Sequence, residues 1–390
     1  MPLPTLTTAA VLAAAAVLTV AAPPSAQALE AEIDQLLAVG PEGKGNPEAA
    51  AAWKSIAAQA TPADVPALLA AMDKAGPLAA NWIRGAVLTV ADRSQAAGSP
   101  LTPDSLTAFL TKTTHGPAGR LLAADLLKHS HPDTWKTLVP TFLLDPVPAL
   151  RREPVALLTT SATAAKDKSQ LRQALDAARD EDQVRAAADE LRTLGETVDL
   201  PRHFGFLMDW QVIGPFDNKS RSGYAAVFPP ELSIDLNASY QGKEVKPGAD
   251  PTIRWKPFTT EDEFGVVDLN KPLGMLKEVT GYATTTYTSP EARPAEIRLG
   301  SKNAWKLWFN GTPVFARDEY HRGMKIDQYR FPVELKAGPN TILMKLCQNE
   351  QTETWTVQWD FQLRICDASG TALLASDRPA TPPAALTGKK

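Results

Sequence analysis

The chain has 390 residues, with 40 Lys plus Arg against 44 Asp plus Glu and a formal net charge of -4. That length accommodates two cores of ordinary size. The cations are spread along the chain rather than clustered, so there is no electrostatic footprint for a polyanion and nucleic acid is excluded as a partner.

At the N-terminus, Ala9 to Ala22 form a short run of Ala, Val and Leu, followed by Pro23, Pro24 and the small-residue pattern Ala26-Gln27-Ala28. This order predicts a signal peptide over 1–28, cleaved after Ala28, and hence a secreted, periplasmic or cell-envelope protein. The run is shorter than the roughly 20 apolar residues a bilayer core requires, and no basic cluster follows it, so no transmembrane segment is expected after cleavage. The segment ahead of the run carries no Lys or Arg, which departs from the usual pattern.

The next stretch is punctuated by proline. Pro47, Pro62, Pro77, Pro103, Pro117, Pro132 and Pro146 recur at near-regular steps, most of them after a residue able to cap a helix, as in Thr61-Pro62, Thr102-Pro103 and Asp145-Pro146. Proline is tolerated at the first helical position, where its missing N–H has no intrahelical partner to lose. Each of these prolines therefore reads as a helix start. Between them the apolar residues fall on a helical period, for example Val65, Leu68, Leu69 and Met72, or Leu121, Leu122, Leu126 and Leu127. Helices this short are marginal alone and must stack on one another. Two further helices are expected around Leu171 to Ala178 and Val184 to Leu194, the second capped by Gly195. In the runs Thr61-Pro-Ala-Asp-Val-Pro-Ala-Leu-Leu and Leu144-Asp-Pro-Val-Pro-Ala-Leu-Arg-Arg-Glu-Pro-Val the chain resembles HEAT-type helical repeats. That resemblance implies an α-solenoid over 29–198 and, by analogy, a protein partner. His115, His129 and His131 read as turn and helix-end residues rather than metal ligands.

From about Phe206 the period changes to two, with aromatic and β-branched residues between turn signals such as Asn310-Gly311 and Ala337-Gly338-Pro339-Asn340. Trp355, Val357, Trp359, Phe361, Leu363 and Ile365 alternate with Thr356, Gln358, Asp360, Gln362 and Arg364, which predicts one long half-buried strand. Further strands are expected at Glu296–Leu299, Trp305–Asn310, Ile326–Leu335 and Ile342–Cys347. If the strand ending at Gln348 formed a hairpin with that long strand, Cys347 would face Thr356 and lie far from Cys366, so the spacing disfavours a disulfide without excluding one. Trp308 shares its strand face with Asn310, away from Trp305, Leu307 and Phe309, and is expected to be exposed or to pack on the helical part.

Three stretches carry a resemblance: Trp210-Gln-Val-Ile-Gly-Pro-Phe, Ala295-Glu-Ile-Arg-Leu-Gly-Ser-Lys-Asn-Ala-Trp-Lys-Leu-Trp-Phe-Asn-Gly and Leu335-Lys-Ala-Gly-Pro-Asn-Thr-Ile-Leu-Met-Lys-Leu. In these the chain resembles galactose-binding-like jelly rolls, and in particular the sugar-binding-like module attached to family 2 glycoside hydrolases. The resemblance implies an antiparallel β-sandwich of the jelly-roll type over 204–375, and a carbohydrate as a candidate ligand. The whole chain is then a multidomain α and β protein: signal peptide, α-solenoid, β-sandwich, and a disordered tail over 376–390.

Two loops mix aromatic and planar polar side chains, the combination that meets the apolar face and the hydroxyls of a sugar ring. The candidate ligand-binding residues are Tyr320, His321 and Arg322 in the first, and Asn349, Glu350, Gln351 and Trp355 in and after the second. Asp217 and Asn218 are weak candidates for calcium, far short of its six to eight oxygens; otherwise no cofactor is expected. No Gly-x-Ser-x-Gly elbow, His-Glu-x-x-His helix or phosphate loop occurs, so no enzyme is expected. Glu319 with Glu350 or Asp327 is the carboxylate pair an enzyme reading would need. The leading expectation is a secreted, non-catalytic binding or scaffold protein. The alternatives are a structural interaction protein with no small ligand, or an accessory part of a carbohydrate-active enzyme system.

Overall fold

A computed structural model describes residues 26–387, so residues 1–25 of the expected signal peptide lie outside the described residues. The chain divides into two compact units between Pro140 and Thr141. No described helix is long and apolar enough to cross a membrane.

The first unit is helical: α1 (Ala26–Leu37), α2 (Asn46–Gln59), α3 (Val65–Ala71), α4 (Pro77–Ala96), α5 (Pro103–Thr111), α6 (Pro117–Ser130) and α7 (Pro132–Leu138). The proline signal is realised at α4 to α7, where proline opens each helix, and at Pro47 and Pro62, which sit in the first turn of α2 and of a short 3-10 turn. Thr102 caps α5 by accepting from the Ser105 N–H, and the Asp64 carboxylate reaches back to accept from the Thr61 N–H and hydroxyl. Pro146 departs from the pattern. The next helix begins at Pro148, because the Asp145 carboxylate accepts from the Val147 N–H and holds a turn there instead. Leu36, Ile56, Leu68, Leu69, Ile83, Val87, Leu110, Leu122 and Leu127 are buried without exception, as the helical period requires.

The second unit opens with α8 (Pro148–Ala165), α9 (Lys168–Ala177), α10 (Glu181–Thr193) and α11 (Leu200–Phe204). Gly195 ends α10 in the left-handed region at φ 84°. These helices do not cap a separate domain ending at 198. Val155, Leu171, Leu175, Val184, Leu191 and Phe204 share one apolar cluster with Phe206, Met208 and Phe264 of the β region, so the helices to Phe204 and the sheets form one core. Nor is 376–387 a loose tail. The Ser376 N–H donates to the Thr288 carbonyl, Arg378 donates to the Phe206 carbonyl, and Ala385, on the short helix Pro383–Leu386, is buried in that same cluster.

The strands are β1 (Asp209–Asp217), β2 (Ser239–Gln241), β3 (Thr252–Arg254), β4 (Lys256–Thr259), β5 (Val267–Asp268), β6 (Val279–Ser289), β7 (Arg293–Ser301), β8 (Ala304–Phe309), β9 (Thr312–Arg317), β10 (Tyr329–Leu335), β11 (Gly338–Gln348) and β12 (Asp360–Cys366). A six-stranded sheet in the order β4-β1-β6-β11-β8-β9 faces a four-stranded sheet in the order β10-β7-β12-β5, with β2 and β3 as a separate ribbon. All pairings within these sheets are antiparallel. Between the two larger sheets lies a core built on Trp210, Tyr287, Trp305, Met344, Trp359, Phe361 and Leu363. Asn310 at φ 50° and Gly311 at φ 77° make the tight turn that joins β8 to β9.

Two expectations fail here for one reason. The long strand from Trp355 is only β12, since Thr354–Thr356 is a 3-10 turn and Trp355 is exposed. The expected hairpin does not form either: β11 pairs with β6 and β8, while β12 pairs with β7 and β5 in the opposite sheet. Cys347 and Cys366 therefore lie on different sheets, and both are free, buried thiols. The intervening residues cross the sandwich instead of turning back. Trp308 is half-buried, part of its indole packed among apolar side chains and part lining an open concavity. With Ile213, Tyr282 and Leu343 it forms a second apolar layer beneath Phe228, Ile234, Ile253 and Trp255, which belong to the long connection between β1 and β4.

Candidate functional site

At one end of the six-stranded sheet three connections meet. β9 runs into Asp318–Gly323, β11 runs into Asn349–Glu353, and β1 runs into the irregular turn Lys219–Tyr224. Ser220 and Arg221 in that turn have φ of 52° and 65°, and Gly223 beside them leaves no room for a side chain. A β-carbon there would stand 2.4 Å from the Asp217 carbonyl oxygen and 2.8 Å from Asn218 Oδ1.

The two sequence-picked loops are bonded to each other. His321 Nε2 lies 2.8 Å from Asn349 Oδ1, and because that oxygen accepts, the imidazole proton sits on Nε2. Asn349 is itself buried. Its Oδ1 also accepts from the Gln351 N–H, its Nδ2 donates to Gln351 Oε1 at 2.9 Å, and its carbonyl accepts from the Glu278 N–H. The His321 ring meets Trp355 edge-on with centroids 5.5 Å apart. Trp355 remains 59% exposed, an indole held by the loops with an open face.

Arg221, which the sequence reading missed, closes the cluster. Its guanidinium donates Nη2 to Glu350 Oε1 at 2.6 Å and Nε to Oε2 at 3.2 Å, a bidentate pair, while lying over the Tyr320 ring at 5.3 Å. Arg221 holds the Glu350 carboxyl below the ordinary glutamate range. Tyr320 Oη accepts from Asn218 Nδ2 at 3.2 Å, and burial pushes the phenol well above its ordinary value. Arg322 does not join. It turns to Glu319, which it shares with Arg317.

Of the seven candidates, His321, Glu350, Gln351 and Trp355 thus stand together at the surface, Tyr320 and Asn349 support them from below, and Arg322 points elsewhere. Arg221 carried only one signal, its place in a loop rich in Ser and Gly after β1; the fold brings it to Glu350 across 129 positions.

Calcium finds no cradle at Asp217 and Asn218. The Lys243 ammonium already sits 2.9 Å from Asp217 Oδ1, and the buried Asn218 amide donates to the Gln348 carbonyl and to Tyr320. Among the described residues no group of three or more His, Cys, Asp or Glu side chains is placed to hold a metal ion. Each of the three carboxylates named for an enzyme pair is met by arginine: Glu319 faces Arg317 and Arg322, Glu350 faces Arg221, and Asp327 lies between Arg298 and Arg364. Burial works to raise the Asp327 carboxyl, but hydrogen bonds and charge from Arg364, with Arg298, bring it below the ordinary range.

No family model matches the chain, and no curated protein matches it. Solved structures similar to it include a β-glucosidase from Kluyveromyces marxianus, at 9% identity over 76% of this chain and 38% of that one, with a TM-score of 0.25. A family 35 carbohydrate binding module from Clostridium thermocellum matches at 13% identity over 23% of this chain and 72% of the module, TM-score 0.17. An FMN-binding β-glucuronidase from Facaelibacterium prausnitzii L2-6 matches at 14% over 44% and 22%, TM-score 0.23. This chain spans well under two thirds of the length of either glycosidase. Likenesses this slight do not decide between functions.

Proposed function

We propose that the protein is an exported, non-catalytic binding protein whose sandwich holds a saccharide against Trp355. The supporting observation is the exposed indole fixed by His321, beside the paired guanidinium and carboxylate of Arg221 and Glu350. An indole face takes the apolar side of a pyranose ring, and planar charged groups at its rim take adjacent hydroxyls. In this reading the helices of the first unit, which we take as HEAT-like, serve a protein partner, and the chain works alongside carbohydrate-active enzymes rather than as one. A glycan array probed with the full chain and with Glu350→Ala tests it: saccharide spots bound by the first and weakened in the second support the reading, and an array with no saccharide bound refutes it.

A second reading, a structural interaction protein with no small ligand, draws support from the apolar core that α8–α11 share with the sandwich. Under that reading Trp355 is a contact for another protein, and the array stays blank.

A further inference from the structure

The long connection between β1 and β4 covers only part of the outer face of the six-stranded sheet. Beneath it lies the row Ile213, Tyr282, Lys345 and Lys306, joined strand to strand by the register. Lys345 is fully buried and donates to the Tyr224 and Ala226 carbonyls and to Glu231, which clamps the cover down at that row.

One side-chain repeat further along the strands the cover gives out. The next row is Pro257, Gln211, Thr284, Leu343, Trp308 and Pro313, each opposite the next in register. Beyond it stand the pairs Asp209 with Thr259 and Thr286 with Thr341, with Asn310 bonded to the Thr341 backbone. Two concavities open over these rows. One, of about 580 Å³, is lined by Gln211, Thr259 and Thr286; the other, of about 480 Å³, by Trp308, Asn310 and Lys336; Ile234 and Thr341 line both. They adjoin at Ile234 and Thr341; taken together as one trough they cross β4, β1, β6, β11 and β8, a span of about 19 Å at roughly 4.8 Å per strand.

The chemistry of the trough selects its occupant. Apart from β4, the floor strands are interior and their backbone groups are spent on the ladders; β4 is an edge of four residues that includes Pro257, so an extended peptide finds only a short, interrupted edge to pair with. The floor presents hydroxyls, amides and one indole, with Leu232, Ile234 and Leu236 at its rim. Its charges are Asp209, Lys336 and Glu231, the last paired with Lys345, so no cluster of one sign serves a polyanion, and the hydroxyls, amides and indole complement an uncharged, hydroxyl-rich chain. The strand spacing offers one such group per step across the sheet.

We propose that this trough is a second saccharide site, taking an extended uncharged glycan laid across the strands, with Trp308 as the stacking face and Gln211, Thr286, Thr341 and Asn310 as hydroxyl partners. It takes its ligand class from the reading of the Trp355 cluster but stands on different residues, toward the opposite end of the same sheet.

The test uses the full chain and neutral oligosaccharide series of two to six units from β-glucan, xylan and mannan, with affinity followed by calorimetry. Affinity for at least one series should rise with length by about tenfold between the dimer and the pentamer. Trp308→Ala should lower the pentamer affinity about three- to tenfold. Trp308 also packs against the cover, so Thr286→Arg, at an exposed position, provides a plug that leaves folding intact and should abolish the length dependence. Trp355→Ala should leave the length dependence in place while weakening the shorter ligands. Absence of length dependence in every series, or length dependence untouched by Thr286→Arg, overturns the trough. Unchanged short-ligand binding in Trp355→Ala overturns the loop site and leaves the trough standing.

Discussion

His321 and Asn349 are joined by a 2.8 Å hydrogen bond between side chains that leave different strands, and that bond ties two polar loops into one surface. Asn349 is buried and His321 half-buried, so the bond positions the exposed Trp355 more than it meets solvent. Asn349→Ala removes it and also leaves the Gln351 N–H without its acceptor. The expected cost is about 1–2 kcal/mol in stability, with saccharide affinity down several-fold. Urea unfolding and calorimetry on the same variant read both effects.

Lys345 is a buried cation whose loss strands a buried anion. Burial lowers its pKa, and the Glu231 carboxylate 2.8 Å away opposes that fall. Lys345→Met leaves Glu231 uncompensated beside Tyr282 and should cost about 3–5 kcal/mol. Adding Glu231→Gln removes the stranded charge and should restore at least about 1 kcal/mol, which a double-mutant cycle by urea denaturation measures.

Asp360 and His203 give the fold two opposed pH dependences. Burial pushes the Asp360 carboxyl up to about 6, against Lys302 at 3.4 Å. Between pH 4 and 6 the folded chain therefore keeps a proton that the unfolded chain has lost, so this contribution is full below about pH 4 and fades by roughly 2–3 kcal/mol as pH rises to 6. Burial, with the Arg179 charge, pushes His203 down to about 4. Its contribution is full above about pH 6.5 and is lost as pH falls toward 4. Asp360→Asn should therefore gain stability at pH 7 relative to pH 4.5, and His203→Gln should lose it in the same comparison. Urea midpoints at the two pH values check both; curves parallel to the wild type would contradict the assignment.

Gly223 and Gly311 separate packing from backbone strain. A β-carbon at Gly223 meets Asp217, Asn218 and Thr280, whereas at Gly311, with φ 77°, nothing lies within 4 Å. Gly311→Ala should cost about 1–2 kcal/mol for the left-handed backbone alone. Gly223→Ala should cost more and should also loosen Arg221 from Glu350, which thermal unfolding and saccharide affinity report together.

Local signals were readable where one residue dictates the backbone. The Asn310-Gly311 turn, the proline-opened helices and the Gly195 cap all follow from side-chain chemistry within a few positions. What was hidden depends on distant cover. Gln362 and Arg364 alternate with core residues and read as a solvent face, yet both are buried, Arg364 bonded to Asp327, to the Phe204 carbonyl and to the Gly370 carbonyl. Trp355 continued an alternating pattern into a segment that Thr356 holds as a turn through bonds to the Gln351 and Glu353 carbonyls. For the site, the residue types in the two loops could be recognised, but not their meeting, and Arg221 only became visible once β1 delivered it.

The most direct test of the central claim is affinity electrophoresis of the full chain through gels carrying neutral or acidic polysaccharides, beside Trp355→Ala. Trp355 is 59% exposed, so the substitution should leave the thermal midpoint unchanged. The predicted result is retardation of the wild type by at least one polysaccharide and its reduction in Trp355→Ala; equal mobility of the two proteins in every gel would contradict the account.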